Sequence, residues 1–471
     1  MSCVRVQGAF LDVQRRGLGS TPGSACLRSH PRTVSNACPF LGVRSERTGS
    51  PANPPREVDP VRQLANRKHT VLTQRGRVHG RNTITARAST SAIQEEDLAD
   101  DLGQVPVIDI SVLIKLLRTD EGDFDQDSLT PEESACLRTI GESCAKWGFF
   151  HVVGHGISED LIQAFLQNST SFFSMPKEEK YRVKRNANNS RGYFDDELTK
   201  QKQDWKEAID IGAQDGSLEG CSEIDGFNQW PSTPTSFQPV VTEYFEEMTA
   251  LSKRLLRLIA ASLGLPPLSF DYTVEAHTSY LRINHYPPFE AGGGGAAPEA
   301  VEAALASEEM ARSLAAPPGV TMGIERHTDA GLLTILIQDT VSALQVRKGE
   351  RWHAVTSPNS AVHPFRAAEA GGGRRPLEST AFTINMGDML QVLTNDKYVA
   401  PLHRVVVNTR GLHRHSAPFF LNPAYTTDCV PLDGGGGAAH YSPVNWGAFR
   451  RARFEGDFAD VGVEMQISNF R

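Results

Sequence analysis

Histidine and carboxylate side chains do metal chemistry when their spacing lets them share one cation. The stretch HTDAGLLTILIQ, starting at His327, sets an imidazole and a carboxylate two positions apart, ahead of an apolar run. On an extended strand, residues i and i+2 project to the same side. His327 and Asp329 are therefore expected to offer one nitrogen and one oxygen to a single ion. The candidate third ligand is His403, in PLHRVVVN, at the edge of another β-like run. Two histidines and one carboxylate suit a redox-active Fe(II) that must keep positions free. An octahedral ion with three protein ligands has three sites left, enough for a bidentate co-substrate and dioxygen, whereas a fully ligated structural zinc has none. Taken alone, a His-x-Asp pair is more often an ordinary surface pair or a polar turn leading into a strand.

A second pair gives such a metal something to do. Arg414 and Ser416, in HRHSAPFF, again share one side of a β-like run. A guanidinium grips a carboxylate through two parallel charge-assisted hydrogen bonds, and the serine adds a donor. The flanking run is apolar. A buried arginine needs a partner, and an acidic co-substrate would be one; a surface ion pair is the alternative.

These residues need elements to hold them. VPVIDISVLIKLL opens with a short β-like run. ESACLRTIGESCAKWG has helical spacing and is preceded by Leu-Thr-Pro as a start signal. GFFHVVGHGI, β-branched and bounded by glycines, predicts a strand. EDLIQAFLQNSTSFFSMP predicts an amphipathic helix ended at Pro176, and VVTEYFEEMTALSKRLLRLIAASLGL a long one stopped by Gly264 and Pro266. From residue 279 the pattern changes to short β-like runs: SYLRINHYP, LLTILIQ, ALQVRKGERWHAV, AFTINMGDMLQVL, HRVVVN and HSAPFFLNP. Helices first and a β-rich half afterwards predict an α+β chain with a sandwich or barrel. Residues 290–319, with one Ala/Glu helix, and residues 357–379 read as inserted flexible surface loops, and the glycines at 434–437 are similar.

Charge is unevenly spread. Residues 1–94 carry 15 Lys and Arg against 4 Asp and Glu, while residues 95–471 carry 33 against 52. The basic segment is Arg-, Ser- and Thr-rich, without sustained apolar periodicity, as organelle transit peptides are. It predicts import, to plastid ahead of mitochondrion, with RNTITARASTSAI as the cleavage neighbourhood; a retained basic tail, and a cytoplasmic protein, is the alternative. No aromatic residues interleave its charges, so no nucleic-acid partner is expected, and no apolar run is long enough to predict a membrane span. Of seven cysteines, three fall in this segment and the others lack C-x-x-C spacing, which speaks against a disulfide scaffold or a thiolate metal site.

Other side chains have plainer readings. His155 satisfies a turn. His285 and His415 alternate with their neighbours and should face the opposite side. Asp388 is a turn residue bonding backbone. Asp204, Lys206 and Glu207 form a solvated face, with a pocket-lining role as the alternative. Phe419 and Phe420 are core packing.

The runs VPVID, WGFFHVVGHGI, SRGYF, LRINHYP, HTDAGLLTILIQD, LQVRKGERW, NMGDMLQVLTNDKY, HRVVVN and RHSAPFFLNP, in this order over residues 105–471, resemble the Fe(II)/2-oxoglutarate-dependent dioxygenases of the isopenicillin-N-synthase-like type. The resemblance implies a distorted double-stranded β-helix (jelly-roll) core over residues 275–430, an N-terminal helical cap region over residues 105–265, and a C-terminal extension, residues 431–471, that folds back near the pocket entrance. It implies His327, Asp329 and His403 as iron ligands, and Arg414 and Ser416 on the distal carboxylate of 2-oxoglutarate, with Tyr286 and Asn284 on the same co-substrate. It also implies dioxygen (O2) as oxidant, ascorbate as a reactivating reductant, and a small-molecule substrate that is hydroxylated or desaturated with release of succinate and CO2. An oxidase on the same iron site that does not consume 2-oxoglutarate is one alternative, and a non-catalytic binding protein on the same fold is another.

Overall fold

In the computed structural model the described residues are 104–117, 124–186, 189–200, 202–213, 224–289, 297–316, 320–361, 380–432, 438–457 and 465–471. All lie in the unit that runs from Ser89 to Arg471. The basic segment 1–94, most of the 357–379 insertion and the glycines at 434–437 lie outside them.

The larger sheet has eight strands: β1 (Val107–Asp109), β2 (Phe149–Val153), β3 (Gly192–Phe194), β4 (Glu207–Gly212), β5 (Tyr280–Tyr286), β7 (Leu333–Gln338), β10 (Phe382–Met386) and β12 (Arg414–Leu421). They lie in the order β1-β2-β10-β7-β12-β5-β4-β3, antiparallel except for β1 on β2. The smaller sheet holds β6 (Met322–His327), β8 (Leu344–Lys348), β9 (Arg351–Ala354) and β11 (His403–Val406), in the order β9-β8-β11-β6. This is the double-stranded β-helix. The division into a helical half and a β half does not hold as expected, because four strands of the larger sheet come from residues 107–212. Those early strands extend both edges of the sheet, so the two regions share one core.

One face of the larger sheet buries Phe150, Ile283, Ile335, Ile384, Phe419 and Leu421 against the helices α1 (Pro131–Lys146), α2 (Glu159–Phe173) and α3 (Phe237–Ser262). Phe149, Tyr286 and Leu336 on its other face pack with Leu344, Val346 and Val405 of the smaller sheet. Sequence signals place the helix ends. Thr130 Oγ1 accepts from the Glu133 amide while the Glu133 carboxylate accepts from the Thr130 amide, a reciprocal N-terminal cap. The chain leaves α3 through Gly264 at φ +73°, a conformation only glycine adopts freely.

Two further expectations are corrected. AFTINMGDMLQVL is strand β10 followed by a helix, α6 (Asp388–Leu393), because Gly387 breaks the extended run. The 290–319 insertion forms two short helices rather than one helix in a loose loop: α4 (Pro298–Leu305) and α5 (Glu308–Arg312). They bury Val301 and Met310 and are tied to the smaller sheet, with Trp352 Nε1 donating to the Ser313 carbonyl at 2.8 Å and Arg404 Nη2 to the Met310 carbonyl at 2.9 Å.

The core also contains imidazoles that resist protonation. Burial pushes His151 down to about 4. Burial, with the neighbouring His285 and His413, pushes His415 down to about 3. In the unfolded chain such groups take a proton near pH 6.5, so below that pH the unfolded state binds more protons than the native one. Their contribution is intact above about pH 6.5 and is lost as pH falls toward 4 and 3. Urea midpoints should therefore drop progressively on acidification from pH 7.5 to 4.5; a flat profile over that window would contradict the burial of these rings.

Candidate active site

His327 ends β6, and Asp329 lies beyond it in the turn toward β7, so the pair is not two positions of one strand as expected. The turn is held by the N-terminus of α6. The amides of Gly387, Asp388 and Met389 donate to the carbonyls of Leu332, Asp329 and Gly331 at 2.8, 2.8 and 2.9 Å, using donors that a helix start leaves unpaired. A Cβ on Gly387 would stand 2.2 Å from the Gly331 carbonyl oxygen, so this close approach requires glycine. His403 opens β11 directly across from His327.

These local structures bring the three side chains together. Asp329 Oδ1 lies 3.7 Å from His327 Nε2 and 3.6 Å from His403 Nε2, and one ligand atom from each residue lies within 4.8 Å of the others. Both imidazoles bond a backbone carbonyl through Nδ1: His327 to Glu325 at 2.8 Å and His403 to Pro401 at 3.0 Å. Donation through Nδ1 leaves each Nε2 lone pair for a cation, the usual way a ligating histidine is oriented. Asp329 Oδ2 accepts from Thr334 Oγ1 at 2.5 Å and Asn385 Nδ2 at 2.8 Å, leaving Oδ1 for an ion. Burial alone would raise the Asp329 pKa, but the flanking imidazoles and these two hydrogen bonds hold it below the ordinary carboxylate value. Desolvation and the charge of His403 depress His327 to about 3. A carboxylate and two imidazoles on one side of a shared point are a donor set that fits Fe(II).

The second cluster lies in the same cavity, whose volume is about 730 Å³. Arg414 and Ser416 on β12 pair in register with Tyr286 and Asn284 on β5. Arg414 is 1% exposed and lies over the Tyr286 ring at 4.7 Å. Its hydrogen bonds are long and to neutral acceptors: the Val341 carbonyl at 3.2 Å, Ser416 Oγ at 3.3 Å and Gln338 Oε1 at 3.2 Å. Among the described residues no carboxylate pairs with it. Asn284 Oδ1 is buried without a hydrogen bond. This end of the cavity is thus a nest of under-used polar groups around one cation.

Alternation decides the remaining candidates. Arg414, Ser416, Pro418 and Phe420 line the cavity, while Phe419 is fully buried in the helix-facing core; Phe420 is therefore pocket wall rather than core. His285 and His415 face the other side, as expected, stacked at 4.8 Å, with His285 bonded to Glu207 and His413. His155 takes the Ile157 amide and bonds the Thr380 carbonyl, a turn role. Asp204 and Lys206 are buried, not a solvated face. Lys206 lines the cavity and pairs with Asp204 at 2.6 Å and Glu197 at 2.7 Å. Arg282 forks onto Asp210 and reaches Glu197 at 2.9 Å. Glu207 points away, to Lys180 and His285. Asp388, expected to bond backbone in a turn, begins α6, where its Oδ2 accepts from Thr328 Oγ1 and Arg453 Nη1 at 3.2 and 3.1 Å.

Arg453 belongs to α7 (Trp446–Asp457) in the C-terminal extension, and Trp446, Arg450, Arg453 and Phe454 line the cavity. The extension thus reaches the pocket as the resemblance implied; sequence reasoning missed which of its residues form the wall, the Glu197–Arg282–Asp210 group, and the two donors on Asp329. Thr334 and Asn385 were signalled as polar residues inside otherwise apolar runs, LLTILIQ and FTINM. Nothing local in the sequence marks Arg453.

Comparison with known proteins agrees with this geometry. Residues 278–423 match the 2OG-Fe(II) oxygenase superfamily, and residues 105–233 match the N-terminal region described as non-haem dioxygenase in morphine synthesis. The chain is 32% identical to homoarginine-6-hydroxylase of Arabidopsis thaliana over 346 residues, 71% of this chain and 90% of that one. It is 33% identical to gibberellin 20 oxidase 1 of the same plant, over 66% of this chain and 71% of that one. The solved structure of JOX2 in complex with 2OG, Fe and JA superposes with a TM-score of 0.53 at 27% identity, covering 74% of this chain and 84% of JOX2. The chain belongs to the Fe(II)/2-oxoglutarate-dependent dioxygenases, oxidoreductases that use iron, 2-oxoglutarate and dioxygen.

Proposed function

We propose that His327, Asp329 and His403 hold the iron, that Arg414 and Ser416 seat the distal carboxylate of 2-oxoglutarate with Tyr286 and Asn284 beside it, and that a small organic molecule is hydroxylated or desaturated in the remaining space. The observation that carries the residue assignment is Arg414: a guanidinium at 1% exposure without an anionic partner among the described residues, in one cavity with the three metal-type donors. Burying a cation unpaired is costly, and a dicarboxylate co-substrate removes that cost.

Iron held there would supply, with 2-oxoglutarate and dioxygen, the oxidising power for one substrate C–H bond, at the expense of the co-substrate, which leaves as succinate and CO2. The chain's own residues do the positioning. Asn385 and Thr334 fix which Asp329 oxygen faces the ion, the Glu325 and Pro401 carbonyls fix both imidazoles, and the Leu344, Val405 and Leu336 side chains keep that part of the wall apolar. The relatives named for homoarginine and gibberellin support a small-molecule substrate.

Aerobic incubation of purified protein with Fe(II) and 2-oxoglutarate should form succinate and CO2 slowly, and faster with substrate; ascorbate should prolong turnover. Absence of succinate under all these conditions would overturn the reading. The basic segment 1–94 supports import into a plastid ahead of a mitochondrion. A fluorescent fusion of that segment that stays in the cytoplasm would refute it.

A further inference from the structure

Several cations line the cavity, and most are already neutralised. Arg191 pairs with Asp225 at 2.6 Å, Arg282 with Asp210 at 2.8 Å, Lys206 with Asp204 at 2.6 Å, and Arg453 with Asp388 at 3.1 Å. Arg414 is taken up by the co-substrate in the reading above. Arg450 is different. It lines the same cavity from α7 and is half-buried. Among the described residues it has neither a hydrogen-bond nor an ion-pair partner.

Its helix neighbours on the cavity side are aromatic. Trp446 and Phe454 lie four residues before and after it, so they share its helix face, and both line the cavity. Tyr280 lines the same cavity. A guanidinium partly desolvated by aromatic groups gains most from a planar anion that accepts two parallel N–H bonds. A phosphate dianion would ask for further cations, and the neighbouring ones are committed.

We propose that Arg450 binds a carboxylate of the substrate, so that the substrate is an apolar organic acid lying along Trp446, Phe454 and Tyr280 with its far end toward His327, Asp329 and His403. This rests on the oxygenase reading and narrows its substrate class. Arg450 is a specificity residue, separate from the arginine on β12 that serves the co-substrate.

The test uses the full chain loaded anaerobically with Fe(II) and 2-oxoglutarate. Phenylacetate, cinnamate and octanoate, each beside its methyl ester, are titrated calorimetrically into the parent, Arg450→Met and Arg450→Lys. At least one acid should bind the parent about tenfold or more tighter than its ester, about 1.4 kcal/mol. That preference should vanish in Arg450→Met and persist, reduced, in Arg450→Lys. A parent that prefers no acid over its ester, including one that binds neither, overturns the proposal, as does Arg450→Met keeping the preference. Melting temperatures of the unliganded variants separate a lost contact from a lost fold, and Arg450→Lys decides if Arg450→Met does not fold. Failure of the broader reading shows separately, as a parent that does not bind 2-oxoglutarate before any acid is added.

Discussion

Replacing His403 by alanine is expected to remove the visible absorption band that Fe(II) and 2-oxoglutarate produce together without oxygen, and with it succinate formation. Strand pairing sets His403 opposite His327, so no neighbour can take its place. Arg404 is turned to Gln345 and the Met310 carbonyl. Removing a group that merely orients a metal ligand costs about 10- to 100-fold in affinity. Loss of a ligand itself should therefore cost at least about 100-fold. The fold should survive, because β11 is held by backbone pairing to β6 and β8. The imidazole packs near the His327 ring at 4.3 Å and, at a steep angle, the Phe149 ring at 5.7 Å. Anaerobic spectra at equal protein and iron, with circular dichroism as the folding control, make the measurement. A variant that kept the parent's band would remove His403 from the metal site.

Arg414→Met should move two quantities in opposite directions. Truncating one partner of a buried, hydrogen-bonded charge pair costs about 2–5 kcal/mol, so 2-oxoglutarate should bind roughly 30- to 5,000-fold more weakly. Without co-substrate, however, the parent carries this guanidinium at 1% exposure on neutral acceptors alone. Methionine fills much of the same space without the charge, and replacing buried charge by apolar volume is often neutral or stabilising. The unliganded variant should thus melt no lower than the parent, while the stabilisation that 2-oxoglutarate confers on the parent disappears. Thermal melts with and without 2-oxoglutarate read both effects. A variant that melts several degrees lower unliganded yet binds 2-oxoglutarate normally would make Arg414 a structural residue only.

Residue spacing foretold which side chains meet wherever a regular period governed them. The two-residue period of β5 and β12 put Asn284, Tyr286, Arg414 and Ser416 on one side and His285 and His415 on the other. What was not legible depends on folding at a distance. Asp388 looked like a turn residue because its partner, Arg453, is 65 residues away. Lys206 looked solvent-facing because a lysine usually is, and the carboxylates it pairs with, Glu197 and Asp204, flank the short antiparallel pair Leu198–Thr199 and Lys202–Gln203. The His-x-Asp pair was located correctly but for an incomplete reason. It converges because the start of α6 bends the turn, not because the strand continues.

The single strand β12 is a party wall: one row of its side chains faces the reaction chamber, and the alternate row is mortared into the helices behind. A one-residue slip of its register would turn both rows about, presenting His415 and Phe419 to the chamber and burying Arg414 and Phe420 in oil. Length variation in this chain can accumulate only in connections outside such a wall, and the 290–319 segment, which falls between β5 and β6, obeys that restriction.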